Sequence, residues 1–292
     1  MKDFLLKYFD EEVINLALNA KKYKRIFGIT NSPKSKKDEV DINLAIKLYI
    51  EYKLPIYKIA MLFGVSDATL RTYFINNKVK LKGHKIGKNS DNKYFYNINT
   101  CDKAYYLGLI FADGSIMSKN KRKRLSIALT ASDAYILELF NKYGNFKSNV
   151  FLTHKNDKKP RATIVINSSQ VYDDLITWGV EENKSKKLMT IPKIRKNLIP
   201  HFIRGFFDGD GIAKTNGYIG FCGDYNMLSF IKKELLKECN VNDNMITYNK
   251  SNHIYYIQWS SKKDRHAIFN YLYKNKKDIY LKRKYMKIKN KL

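Results

Sequence analysis

Tyr106-Leu-Gly-Leu-Ile-Phe-Ala-Asp-Gly114 and Ile203-Arg-Gly-Phe-Phe-Asp-Gly-Asp-Gly211 are two versions of one pattern, the second standing 97 residues after the first. Each reads as an apolar helix that delivers a single carboxylate, Asp113 or Asp210, just before a glycine suited to a C-terminal cap. Within each helix a small residue recurs four positions on, Gly108 with Ala112 and Gly205 with Gly209, leaving one face without bulk. Two such faces let helix backbones approach closely. Pairing them through Gly108 and Gly205 brings Asp113 and Asp210 together. Two adjacent carboxylates repel unless they are protonated, hydrated or bridged by a cation. A pair of hard oxygen ligands points to Mg²⁺ as that cation.

The tandem pattern resembles the LAGLIDADG family of homing endonucleases, in the form that carries both half-sites on one chain. The match runs through Gly108, Leu109, Ile110, Ala112, Asp113 and Gly114, and through Gly205, Asp208, Gly209, Asp210 and Gly211. It departs at Phe111, where the first copy lacks the motif's earlier acid, and at Arg204, which replaces a small residue. The resemblance implies that Asp113 and Asp210 are catalytic and ligate Mg²⁺ or Mn²⁺, assisted by the backbone carbonyls of Ala112 and Gly209. It spans residues 102–292 and implies two αββαββα halves, about 102–196 and 197–292. A pseudo-twofold axis would relate them, and their sheets would form a saddle over DNA. The reaction it implies is metal-dependent hydrolysis of both DNA strands at a specific site.

Composition agrees with a polyanionic partner. With 55 Lys and Arg against 27 Asp and Glu the formal charge is +28 and the pI about 9.7. Nucleic acid is the leading partner for such a surface. No apolar run approaches the roughly 20 residues of a spanning helix, which argues against a membrane. The first ten residues lack a signal-peptide core, so the chain is expected to be intracellular. Cys101, Cys222 and Cys239 are widely spaced and lack a Cys-x-x-Cys pair, so neither a disulfide framework nor a zinc site is expected.

Ahead of the first motif, residues 1–80 read as a helical DNA-binding unit. An acid-capped helix opens it after Asp10. Ile42 to Tyr52, a Leu54-Pro55 break and Ile56 to Tyr73 then resemble a helix-turn-helix, with Ala60 at the crossing and Gly64 in the turn. Ile59, Phe63, Val65, Leu70 and Tyr73 fall inward, and Ser66, Asp67, Arg71 and Thr72 outward on the helix that enters the major groove in this motif. Residues 81–101 read as a basic tether.

After each motif the expected order is two strands, a helix, two strands and a helix. Arg124, Ser126, Arg161, Thr163, Tyr256 and Gln258 are the strand residues with donors for bases and phosphates. Which sheet face they occupy is not readable, because Ala162 to Ile166 is uniformly apolar. Lys214, Gln258 and Lys262 are candidates for orienting water and phosphate around the metal. Arg161 set against His253, and Ile166 against Gln258, make the halves unequal, so a single chain is expected on a long asymmetric duplex target. Two other functions fit the same residues: a DNA-binding regulator that does not cut, and an intron RNA maturase. The helix-turn-helix favours duplex DNA, since the deep major groove of RNA admits no helix.

Overall fold

A computed structural model of the chain describes residues 9–18, 40–63, 65, 67–81, 93–120, 122–153, 161–184, 188–214 and 217–292. The described residues fall into two compact units. One comprises those within Met1–Gly87, Leu129–Ala134 and Val150–Thr163, and the other Lys88–Ala128, Tyr135–Asn149 and Ile164–Leu292.

The first unit begins with helices α1 (Glu11–Leu18), α2 (Ile42–Ile50), α3 (Ile56–Leu62) and α4 (Asp67–Asn76). Asp41 starts α2 by accepting the Leu44 N–H at 3.0 Å, the usual way to satisfy an orphan donor at a helix start. Val13, Ile14, Ala45, Leu48, Ile59, Ala60, Phe63 and Leu70 close one apolar core. Phe74 is fully buried one turn beyond Leu70 on the same helix face, and Tyr73 packs half-buried against the same core. Gly64 and Ser66 lie outside the described residues.

Beyond this, the chain repeats one αββαββα plan twice, as the sequence leads one to expect. The first copy is α5 (Cys101–Asp113), β1 (Gly114–Lys119), β2 (Arg122–Thr130), α6 (Ala134–Tyr143), β3 (Val150–Thr153), β4 (Arg161–Asn167) and α7 (Ser169–Thr177). The second is α8 (Ile199–Asp210), β5 (Gly211–Ala213), β6 (Ile219–Gly223), α9 (Tyr225–Cys239), β7 (Thr247–Asn249), β8 (Ile254–Trp259) and α10 (Lys262–Tyr273), and α11 (Lys282–Lys289) follows. Both four-stranded sheets have the same strand order, first–second–fourth–third. Equivalent side chains start the closing helices: Ser168 accepts the Val171 N–H at 3.2 Å and Ser261 the Asp264 N–H at 3.0 Å.

These two serines fix the register between copies. They match Ile166 with Trp259, both buried, and Val165 with Gln258, both half-buried on the opposite face. The expected pairing of Ile166 with Gln258 is therefore one residue out, since a single step along a strand changes its face. The same shift matches Arg161 with Ile254 instead of His253.

Two further readings change. The tether ends in packed structure: Tyr94, Phe95 and Ile98 are buried, and Tyr94 lies against Phe140 and Phe146 with ring centroids 6.1 and 5.5 Å apart. Gly114 and Gly211 are extended, with φ of −78° and −76°, so they are not left-handed caps. Their lack of a side chain serves close packing instead. A Cβ on Gly114 would lie 2.7 Å from the Ile110 backbone, and one on Gly211 would strike the Phe207 carbonyl.

Candidate functional site

The site is built where α5 and α8 meet. A Cβ on Gly108 would collide with the Phe202 carbonyl, and one on Gly205 with the Tyr105 carbonyl. Both positions and both partners are 97 residues apart, so the contact is reciprocal, as a pseudo-twofold axis through the helix pair requires. Gly209 continues the seam: its missing Cβ would meet that of Ala112 and lie 3.1 Å from Asp113 Oδ2. The Asp113 carboxylate thus lies over the backbone one residue before Asp210.

The acids differ in surroundings. Asp113 is exposed and Asp210 half-buried. Burial first, and the charge of Asp113 second, push the Asp210 carboxyl up to about 6. Lys184 and Lys284 offset part of this repulsion, and a divalent cation would relieve more of it. Among the described residues no three or more His, Cys, Asp and Glu gather into a metal cluster. A cation held here would take the two carboxylates and complete its shell with main-chain and water oxygens. That ligand set fits Mg²⁺, which keeps several waters.

Two lysines absent from the sequence-based candidates complete the site. Lys184 Nζ donates to the carbonyls of Ile110, Phe111 and Ala112 at 2.6, 2.6 and 2.7 Å. Lys284 Nζ donates to those of Phe207, Gly209 and Gly211 at 2.7, 2.8 and 2.7 Å. Each ammonium sits on the negative end of a motif helix, where orphan carbonyls and the helix dipole favour a cation. Burial lowers both lysines to about 8, against the opposing pull of the nearby aspartates. An ammonium has three protons, and each lysine gives all three to carbonyls. Their chemical contribution here is fixed positive charge and a rigid helix end. The carbonyls of Ala112 and Gly209 each accept one lysine proton and keep a second lone pair for another partner.

Nothing in local sequence pattern singled these lysines out from 55 basic residues. The usable signal was positional, since each follows its half's last α/β layer, 71 residues after Asp113 and 74 after Asp210. Of the expected second-layer groups, Lys214 is exposed after β5 with its ammonium 5.8 Å from the Tyr218 ring centre, and Lys262 is exposed on the first turn of α10. Gln258 lies in β8 opposite Gly220 of β6. Cys222 joins the site unexpectedly by donating its thiol to the Asp210 carbonyl at 3.0 Å.

Likeness to known proteins is partial. No family model matches the chain. It is 27% identical over 161 residues to the DNA-directed RNA polymerase subunit Rpo1C of Methanocaldococcus jannaschii, covering 51% of this chain and 16% of that protein's length. Among solved structures it is similar to the homing endonuclease I-WcaI bound to its DNA recognition sequence, with 16% identity, a TM-score of 0.45 and coverage of 70% of this chain and 95% of that one. It is also similar to I-DmoI in complex with DNA and Mn, with 17% identity, a TM-score of 0.44 and coverage of 59% and 97%.

The remaining expected contact residues fall on consistent faces. In β2, Leu125, Ile127 and Leu129 are buried, which turns Arg124 and Ser126 to the other side; Arg124 Nη2 reaches Met117 Sδ at 3.5 Å. In β4, Ala162, Ile164 and Ile166 point inward and Arg161 and Thr163 outward. In β8, Ile257 and Trp259 are buried, and Tyr256 and Gln258 share the opposite face. On α4, Thr72 is exposed and Arg71 pairs with Asp67 at 2.7 Å. Ser66 lies outside the described residues. No helix among the described residues is long and apolar enough to cross a membrane.

Proposed function

We propose that this chain is a site-specific DNA endonuclease that cuts both strands with a divalent metal held by Asp113 and Asp210. The observation that carries this reading is that the Asp113 carboxylate lies over Gly209, the residue before Asp210, at a helix seam closed by glycine and alanine. Bound Mg²⁺ or Mn²⁺ would supply an activated water and stabilise the leaving 3′ oxygen. Asp113 and Asp210 bind the ion, with the carbonyls of Ala112 and Gly209 as further oxygen donors. Lys184 and Lys284 hold the helix ends still, so that the carboxylates meet the backbone of DNA already in place, the preorganisation that electrostatic catalysis needs.

The formal charge of +28 supports a duplex partner. Arg124, Ser126, Arg161, Thr163, Tyr256 and Gln258 would read or position it from the outward strand faces. Asp67, Arg71 and Thr72 would do so from a helix-turn-helix. Unequal strand faces favour one protein chain on one asymmetric site. The test is to incubate the protein with a randomised duplex library and Mg²⁺ and to sequence the ends. Defined double-strand ends are expected, and they should vanish with EDTA. Selective binding without cutting would overturn the nuclease and leave a regulator.

A further inference from the structure

The two lysines are delivered by different means, and the difference runs through the positions where the two motifs diverge. Lys184 is held within its own half. Two residues before it, Glu182 accepts the Tyr172 hydroxyl at 2.9 Å and the Ser118 N–H, from α7 and β1. Lys284 instead rides on a C-terminal strap, residues 274–284, that is fastened to both halves. From the second half, Arg204 donates to the Ile279 carbonyl of the strap and to the Leu272 carbonyl near the end of α10, both at 3.1 Å. Asp208 accepts the Leu281 N–H at 2.8 Å. At these positions the first motif has Leu107 and Phe111, both buried. Arg204 and Asp208 are thus strap fasteners, with no counterpart where there is no strap.

From the first half come two tyrosines. Tyr105 on α5 donates to Asp208 Oδ2 at 2.7 Å and faces the Arg204 guanidinium at 5.3 Å. Tyr135 on α6 brackets Leu281: its hydroxyl donates to the Tyr280 carbonyl at 2.8 Å and accepts the Lys282 N–H at 2.7 Å. Lys282 opens α11, so this N–H is one the helix cannot satisfy itself. Lys284 stands two residues on, in the same helical turn.

We infer that Tyr135 and Tyr105 are positioning residues for Lys284, so that the second motif's helix end is set by the first half while the first motif's is set by its own half. For the lysines the dependence runs one way, although the glycine seam between the helices is reciprocal. Catalytic competence of the Asp210 side then requires correct docking of the two halves, which would keep a half-assembled protein from completing a cut. This rests on the proposed nuclease reading, but part of its test does not.

Two measurements on the full chain test it, using Tyr135→Phe, Tyr105→Phe and Glu182→Ala. Hydrogen exchange of the metal-free protein needs no activity. Tyr135→Phe should speed exchange in residues 278–285 at least about 10-fold, while 180–184 stays as in the wild type, and Glu182→Ala should do the reverse. Equal loosening of both segments, or of neither, would overturn the inference whether or not the protein cuts DNA. On a cleavable duplex with Mg²⁺, Tyr135→Phe, Tyr105→Phe and Lys284→Met should leave the same strand uncut, and Glu182→Ala and Lys184→Met the opposite one. A merely structural role would slow both strands alike, and that result would also overturn it. A wild type that cuts neither strand would refute the nuclease reading and leave the exchange result to decide the positioning.

Discussion

The first motif helix ends at an exposed acid, Asp113, and the second at a half-buried one, Asp210, although both are capped by a lysine with three carbonyl bonds. Around Leu107 and Phe111 the first half is apolar, and Phe111 packs edge-on against Phe202 of the second, with ring centroids 5.5 Å apart. In the second, Arg204, Asp208 and Tyr273 form a buried polar network completed by Tyr105 of the first half, with Asp208 raised above the usual carboxylate range chiefly by burial. The difference teaches that a duplicated plan conserves the geometry at the seam while each copy solves the support of that geometry separately. A buried network is costly to disturb, because removing one member leaves its partners desolvated and unpaired.

The largest effect should come from the acids themselves. Asp113→Asn or Asp210→Asn is expected to slow double-strand cleavage by at least about 10³-fold, the scale on which losing one preorganised group slows an enzyme. Gel-shift affinity in Ca²⁺ should change little. Full cleavage by either variant would remove the metal assignment and with it the functional equivalence of the halves.

Replacing the lysines should sharpen the contrast. Lys284→Met leaves three carbonyls without their cation in a buried place, and a loss of about 2–4 kcal/mol in urea unfolding is expected. Lys184, half-buried and next to a more open acid, should cost less when changed to Met. A larger loss at Lys184 would break the comparison.

The smallest effect is a gain. Asp210 holds its proton more tightly in the folded chain than in the unfolded one, with its pKa raised from 3.8 to about 6. Its charge therefore costs stability that is absent below pH about 4 and complete above about 6. Asp210→Asn should stabilise the metal-free protein by about 1–2 kcal/mol at pH 7.5 and by nothing at pH 4. Denaturation at the two pH values checks this, and no difference between them would show that neither burial nor the charge of Asp113 raises the Asp210 carboxyl.

By itself the sequence determined the repeat, the order of elements in each half, the two acids and the glycine seam. These were legible because they depend on neighbours close in the chain: the helix period, the two-residue strand period, and small residues four apart. It also determined the core of the N-terminal helices, apart from Phe74, which joins Tyr73 there. Only the tertiary structure decided the faces of β4, where side chains at 162–166 are apolar on both sides and local pattern is silent. Only it decided that Tyr94 and Phe95 belong to a core and Tyr96 does not, since three consecutive aromatics in a basic stretch give no period. Above all it decided Lys184 and Lys284, whose roles come from carbonyls more than 70 residues away. A lysine's chemistry is set by what surrounds its ammonium, and in a chain with 55 basic residues only the folded backbone says which two are buried against a helix end.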